Sequence, residues 1–138
     1  MNTEMVSTLQ GRDVLLKLAQ LLDIENAHVE DSTAHAGRAF VVYDRSGRRR
    51  GCHRTQVLKF NGNVFATILT FPEGDLIPEP FANGRCTFFV AGCHVKALGA
   101  ENEIAAAQQI MAADTLEDLG DFGAALFSTF VEFLVDSA

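Results

Sequence analysis

The sequence contains no Trp and a single Tyr. An interaction face anchored on Tyr and Trp is therefore excluded, and any aromatic contact falls to the 11 Phe. Proline is scarce, and hydrophobic residues make up 48% of the chain against 21% charged. That balance belongs to a chain that buries a core, not to a disordered tail. With 138 residues there is room for one domain, taken as 1–138. No apolar run reaches the roughly 20 residues of a membrane span. The longest, near the C-terminus, is interrupted by Asp121, Glu132 and Asp136. Residues 1 to 10 include Glu4 and lack an apolar h-region. The expectation is an intracellular protein, cytoplasmic or nuclear, that is not secreted and does not contact a membrane. Three Cys is an odd number without dense spacing, which fits free thiols in a reducing compartment.

Catalytic signatures are missing too. There is no Gly-x-x-x-x-Gly-Lys-Ser/Thr loop, no Gly-x-Gly-x-x-Gly, no Gly-x-Ser-x-Gly and no His-Glu-x-x-His. No catalytic residue and no cofactor are therefore assigned. Cys52, His53, Cys86, Cys93 and His94 carry zinc-ligand chemistry. Each Cys-His pair is adjacent in sequence, however, and neighbours on a strand point to opposite faces. No Cys-x-x-Cys knuckle is present. Buried, inert thiols are the expected reading, and no metal is assigned.

Cations are absent from residue 97 onward, a stretch that carries Glu101, Glu103, Asp114, Glu117, Asp118, Asp121, Glu132 and Asp136. Seven of the eleven cations lie between residues 38 and 59, including Arg45, Arg48, Arg49, Arg50 and Arg54. The net charge of −7 thus hides a basic patch and an acidic end. On a hairpin, the arginines would suit a phosphate backbone, an acidic partner, or simple protection of a sheet edge.

The periodicity predicts a helix over residues 13–22, with Val14, Leu15, Leu18, Leu21 and Leu22 on one side. Strands are expected at 4–9, 27–30, 39–43, 56–60, 64–71, 86–90 and 94–98. Ser46-Gly47 reads as a turn, Asn61-Gly62 is the best hairpin signal, and 72–84 reads as a loop because it holds all three prolines. The strand at 64–71 is apolar on both faces, so it is expected to be central or covered on both sides. Helices are expected at 101–113 and 122–135. In the last, Phe122, Leu126, Phe130 and Phe133 form one stripe, with Phe127, Val131 and Leu134 beside it. Such a helix is either buried in the core, the commoner outcome, or supplies a homo-oligomer contact through those four residues. The fold class is α+β: a curved antiparallel sheet with helices packed on one face, one helix N-terminal and two C-terminal.

Three segments carry a resemblance. Met5-Val6-Ser7-Thr8-Leu9 precedes a Gly and a Leu-rich helix, and Glu25-Asn26-Ala27-His28-Val29-Glu30 follows it. Phe88-Phe89-Val90-Ala91-Gly92 then runs into residues 95–103. Over about residues 4–112, this order resembles one repeat of the TATA-box-binding protein. The resemblance implies a non-enzymatic module in transcription whose sheet grips the minor groove of double-stranded DNA, or a protein partner, with Phe40 and Phe89 near the wedging positions. Val6, Thr8, Val95 and Ala97 would line the concave face, and Arg45 to Arg54 would hold phosphates. That family has two repeats and this chain has room for one, so a homodimer would complete the saddle. Glu4 stands where the family usually places an Asn, and a carboxylate facing a phosphate-lined groove is unfavourable. A second class of reading is an acidic protein-interaction or assembly subunit, viral or inhibitory, without nucleic-acid contact. A third is a small-molecule-binding protein or enzyme with Cys93 and His94 near its pocket.

Overall fold

Apolar residues that recur at helical spacing build α1 (Gly11–Leu21). Val14, Leu15, Leu18 and Ala19 are buried, whereas Arg12, Asp13 and Gln20 are exposed. The computed structural model describes residues 11–31, 41–44, 49–51, 54–70, 76–79 and 86–137. Helix α1 ends at Asp23, whose φ of 56° is left-handed. The Ile24 N–H donates to the Ala19 carbonyl at 2.9 Å and the Asp23 N–H to the Gln20 carbonyl at 3.1 Å. This pair of bonds is the Schellman ending, with Asp in the position glycine usually occupies. The Arg12 guanidinium donates to the Val29 carbonyl at 3.2 Å and ties the helix start to the first strand.

Among the described residues, eight strands follow. They are β1 (His28–Asp31), β2 (Val41–Asp44), β3 (Arg49–Gly51), β4 (Arg54–Phe60), β5 (Asn63–Thr70), β6 (Leu76–Glu79), β7 (Cys86–Val90) and β8 (Cys93–His94). Five of them form an open antiparallel sheet in the order β1-β4-β5-β7-β8, and β3-β2-β6 form a separate three-stranded sheet. The β4–β5 hairpin turns at Asn61 and Gly62, with φ of 52° and 79°, the two positive values of a type I′ turn. Ala91 and Gly92 repeat that pattern between β7 and β8, with φ of 50° and 81°.

Strand β5 is central, paired with β4 on one side and β7 on the other. Its register places Leu58, Ala66 and Val90 in one row and Gln56, Ile68 and Phe88 in the next. Those apolar residues share a core with Val14, Leu15 and Leu18 of α1. A register shift at Leu58/Lys59 turns the consecutive Phe65 and Ala66 both into that core. Helix α2 (Glu103–Ala112) packs on α1 and β7, and α3 (Gly120–Ser137) packs on β5. Phe65 seats α3, its ring centroid 5.3 Å from Phe130 and 5.0 Å from Phe133. The architecture is the expected α+β class, with the helices gathered on one face of the five-stranded sheet.

Several local expectations change. The proline-rich segment read as a loop contains β6, in which Pro78 pairs with Val42 on the edge strand of its sheet. An edge is where a residue without an N–H is tolerated. The strand expected at 94–98 shrinks to Cys93–His94 and gives way to a 3-10 turn, Val95–Leu98. There Val95 is driven fully into the core, and Gly99, at φ 104°, ends the turn. The strand expected at 4–9 and the Ser46-Gly47 turn lie outside the described residues. Among the described residues, no helix is long and apolar enough to cross a membrane.

Candidate protein-interaction surface

Helix α3 is apolar on more than one side, and the sheet can cover only part of it. Phe122, Leu126 and Phe130 are buried, and Phe133 packs against the same core from a partly buried position. The stripe read as an oligomer contact therefore belongs to the chain's own core, because Phe65 and the sheet reach it first. The neighbouring stripe is left outside. Phe127, Val131, Leu134 and Val135 are 53%, 42%, 37% and 70% exposed. They are four of the five large apolar side chains left exposed among the described residues, the fifth being Leu16 on α1. Their i, i+4, i+7, i+8 spacing places them on one side of the helix. A clustered apolar face of this kind marks contact with something else more often than isolated exposed residues do.

Phe127 also closes one wall of an open groove of about 770 Å³. The end of α1 supplies Leu21 and Leu22, and the segment before α3 supplies Leu116. A 3-10 turn, Leu116–Leu119, leads directly into α3. Asp118 holds it, its carboxylate accepting from the Asp114 N–H at 2.9 Å and the Thr115 N–H at 3.0 Å. Those two backbone donors, Thr115 first, hold the Asp118 carboxyl below its ordinary range. Gly123 makes the close approach of turn and helix possible, since a Cβ there would lie 2.3 Å from the Leu116 carbonyl oxygen.

The rim of the groove is negative. Asp23, Asp114 and Glu117 line it, and no Lys, Arg or His does so among the described residues. The carbonyl end of α1 adds to that field, with no basic residue in its last turn. Along α3 itself the charged residues are Asp121, Glu132 and Asp136.

The sheet face turned away from the helices is closed at its centre. By register, Val57, Thr67 and Phe89 form one row on that face, with Leu69 and Thr87 beside them. Val57, Leu69 and Thr87 are fully buried, and Thr67 and Phe89 are partly buried. The Phe89 ring packs at a tilt against His94, with ring centroids 4.3 Å apart. Ala97 is exposed, but on the 3-10 turn and not on a strand. Arg49 and Arg50 lie on β3 and Arg54 begins β4, so these members of the arginine cluster divide between two sheets. Val6, Thr8, Phe40, Arg45 and Arg48 lie outside the described residues.

The Cys-His segments do not converge on a metal centre among the described residues. Cys93 is free and exposed, contrary to the buried thiol expected there. His94 is committed elsewhere: its Nδ1 lies 3.1 Å from Oε1 of Glu103, whose carboxylate is buried against it. Cys52 and His53 lie outside the described residues.

The groove joins residues far apart in the sequence, and no motif connects Asp23 with Asp114 and Glu117. The one sequence signal available was α3 itself, a helix with two adjacent apolar stripes, of which a single core could cover only one. No protein-family model matches the chain, and no curated protein or solved structure is significantly similar to it.

Proposed function

We propose that this chain is a protein-interaction module that docks a protein partner on the outer face of α3 and the adjoining groove. The observation that carries this reading is the apolar stripe Phe127, Val131, Leu134 and Val135, exposed on a helix whose only charges are acidic. An apolar patch bordered by polar residues gains free energy when a partner covers it. The acidic border disfavours nucleic acid and anionic lipid as the thing covered. Minor-groove binding, which the TATA-box-binding resemblance implies, needs an open sheet face. The burial of Val57, Leu69 and Thr87 supports the protein-docking reading over that one.

The test is site-specific photocross-linking in cells, with a photoreactive phenylalanine analogue at Phe127 or Val131 and at the exposed Gln109 of α2 as control. A discrete protein adduct from positions 127 and 131 and none from 109 is the expected result. No adduct from either α3 position would overturn the proposal. Purified protein is expected not to bind AT-rich duplex DNA at low salt. Salt-sensitive binding with an AT preference would return the reading to the minor-groove saddle.

A further inference from the structure

We infer that the occupant of this surface is a cationic amphipathic helix, a segment that presents an apolar stripe flanked by Lys or Arg. The inference rests on the protein-interaction reading above and names the chemistry of the partner.

Shape is the first reason. The stripe on α3 runs straight along one helix face and continues into the groove beside Phe127. A straight apolar stripe of this form suits packing against a second helix that anchors through residues at i, i+3, i+4 and i+7. Charge is the second. Asp23, Asp114 and Glu117 stand on the groove rim, and Asp121, Glu132 and Asp136 follow along α3. A second copy of the same helix would set these acids against their own kind, so charge complementarity selects a basic partner.

Asp23 supplies a third, independent reason. It occupies the left-handed position after α1, where Gly is preferred, and it puts a negative charge at the negative end of the helix dipole. Both choices oppose stability. A residue that is locally unfavourable in two ways is expected where function, not folding, selects it. Here Asp23 is among the residues that line the groove a cationic side chain would enter.

The test uses a fluorescein-labelled helical peptide of about 18 residues with a Leu stripe and Lys on its other faces, roughly 27 Å long. Anisotropy is read at about 50 mM and about 300 mM salt, which brackets the range in which exposed charges become screened. Two further peptides serve as controls, one with Glu replacing every Lys and one with the Leu positions scrambled. Saturable binding of the first peptide alone, weaker at high salt, is the expected result. Phe127→Asp, at a half-exposed position, is expected to abolish it while lowering the unfolding temperature by only a few degrees, with the fold retained. The double change Asp23→Asn with Glu117→Gln is expected to weaken binding about five-fold, the scale of two exposed ion pairs. Asp13→Asn with Glu101→Gln removes the same charge away from the groove and is expected to leave affinity unchanged. Asp23→Gly separates function from folding: it is expected to raise the unfolding temperature and lower peptide affinity.

Equal binding of the scrambled or the Glu peptide would overturn the inference. So would equal losses from the two double changes, which would mean diffuse charge and not a site. Sedimentation showing a dimer that Phe127→Asp dissolves would assign the surface to a second copy and also overturn it. If cross-linking from position 127 captures a partner while the cationic peptide fails to bind, the interaction reading stands and the occupant named here falls. If both fail, the surface is not a docking site.

Discussion

Gly123→Ala is the sharpest test of how the groove is built, because local and tertiary effects have opposite signs. Within a helix, Gly→Ala is normally stabilising by about 1 kcal/mol, since Ala has the higher helix propensity. At Gly123 the added Cβ would lie 2.3 Å from the Leu116 carbonyl oxygen and 3.0 Å from the Leu119 Cβ. An ordinary contact needs roughly 1 Å more than the first of these distances. The obstacle is a backbone oxygen in a turn that Asp118 holds through two N–H groups, so it cannot rotate away. Overpacking of this kind costs about 2–3 kcal/mol, which leaves a net destabilisation of about 1–2 kcal/mol. For a chain of this size, the unfolding temperature should fall by about 3–8 °C. Far-UV circular dichroism on heating measures it. Ala124→Gly, at the exposed neighbouring position, provides the reference for propensity alone and should cost at most about 1 kcal/mol. If Gly123→Ala raises the unfolding temperature, the turn does not pack against α3 as described, and the groove lined by both loses its foundation.

Three further outcomes are expected. Leu126→Ala, at a fully buried site, should cost about 3 kcal/mol in denaturant unfolding, whereas Phe127→Ala, at a half-exposed one, should cost about 1 kcal/mol; similar values for the two would contradict the division of α3 into an inner and an outer stripe. Asp118→Asn should lower the unfolding temperature at neutral pH. Because the folded carboxyl titrates below its ordinary value, its stabilisation is present above that ordinary value and is lost as the pH falls through the folded value, so wild type and variant should converge in strong acid. Glu103→Ala should cost about 1–2 kcal/mol by removing the acceptor for His94 from a buried position, and Glu103→Gln, which keeps an acceptor, should cost less.

Much of the fold was legible because its signals are local. Asn61-Gly62 specifies a turn whose positive φ values few other pairs tolerate, and the apolar character of β5 on both faces marks a central strand. The spacing of Val14, Leu15 and Leu18 defines a helix face without reference to any neighbour. The strand expected at 94–98 failed for a tertiary reason. Val95 gains more from full burial beneath the helices than from extending an edge strand, so the backbone tightens into a 3-10 turn. Pro78 misled in the same way, since whether a proline ends a strand or sits at its edge depends on which side its missing N–H faces.

The sequence by itself determined the three helices, strands β1, β2, β4, β5 and β7 to within a few residues, the α+β class and the separation of basic middle from acidic end. These follow from propensity, periodicity and charge, which act over a few residues. Only the tertiary structure decided which apolar stripe of α3 is buried. Both stripes have the same chemistry, and the choice was made by Phe65, turned inward at a bulge, which meets Phe130 and Phe133 and leaves Phe127 outside. The groove has the same origin. Asp23 and Glu117 share a rim because α1 and the turn before α3 end beside one another, a meeting that packing produces and no local pattern encodes.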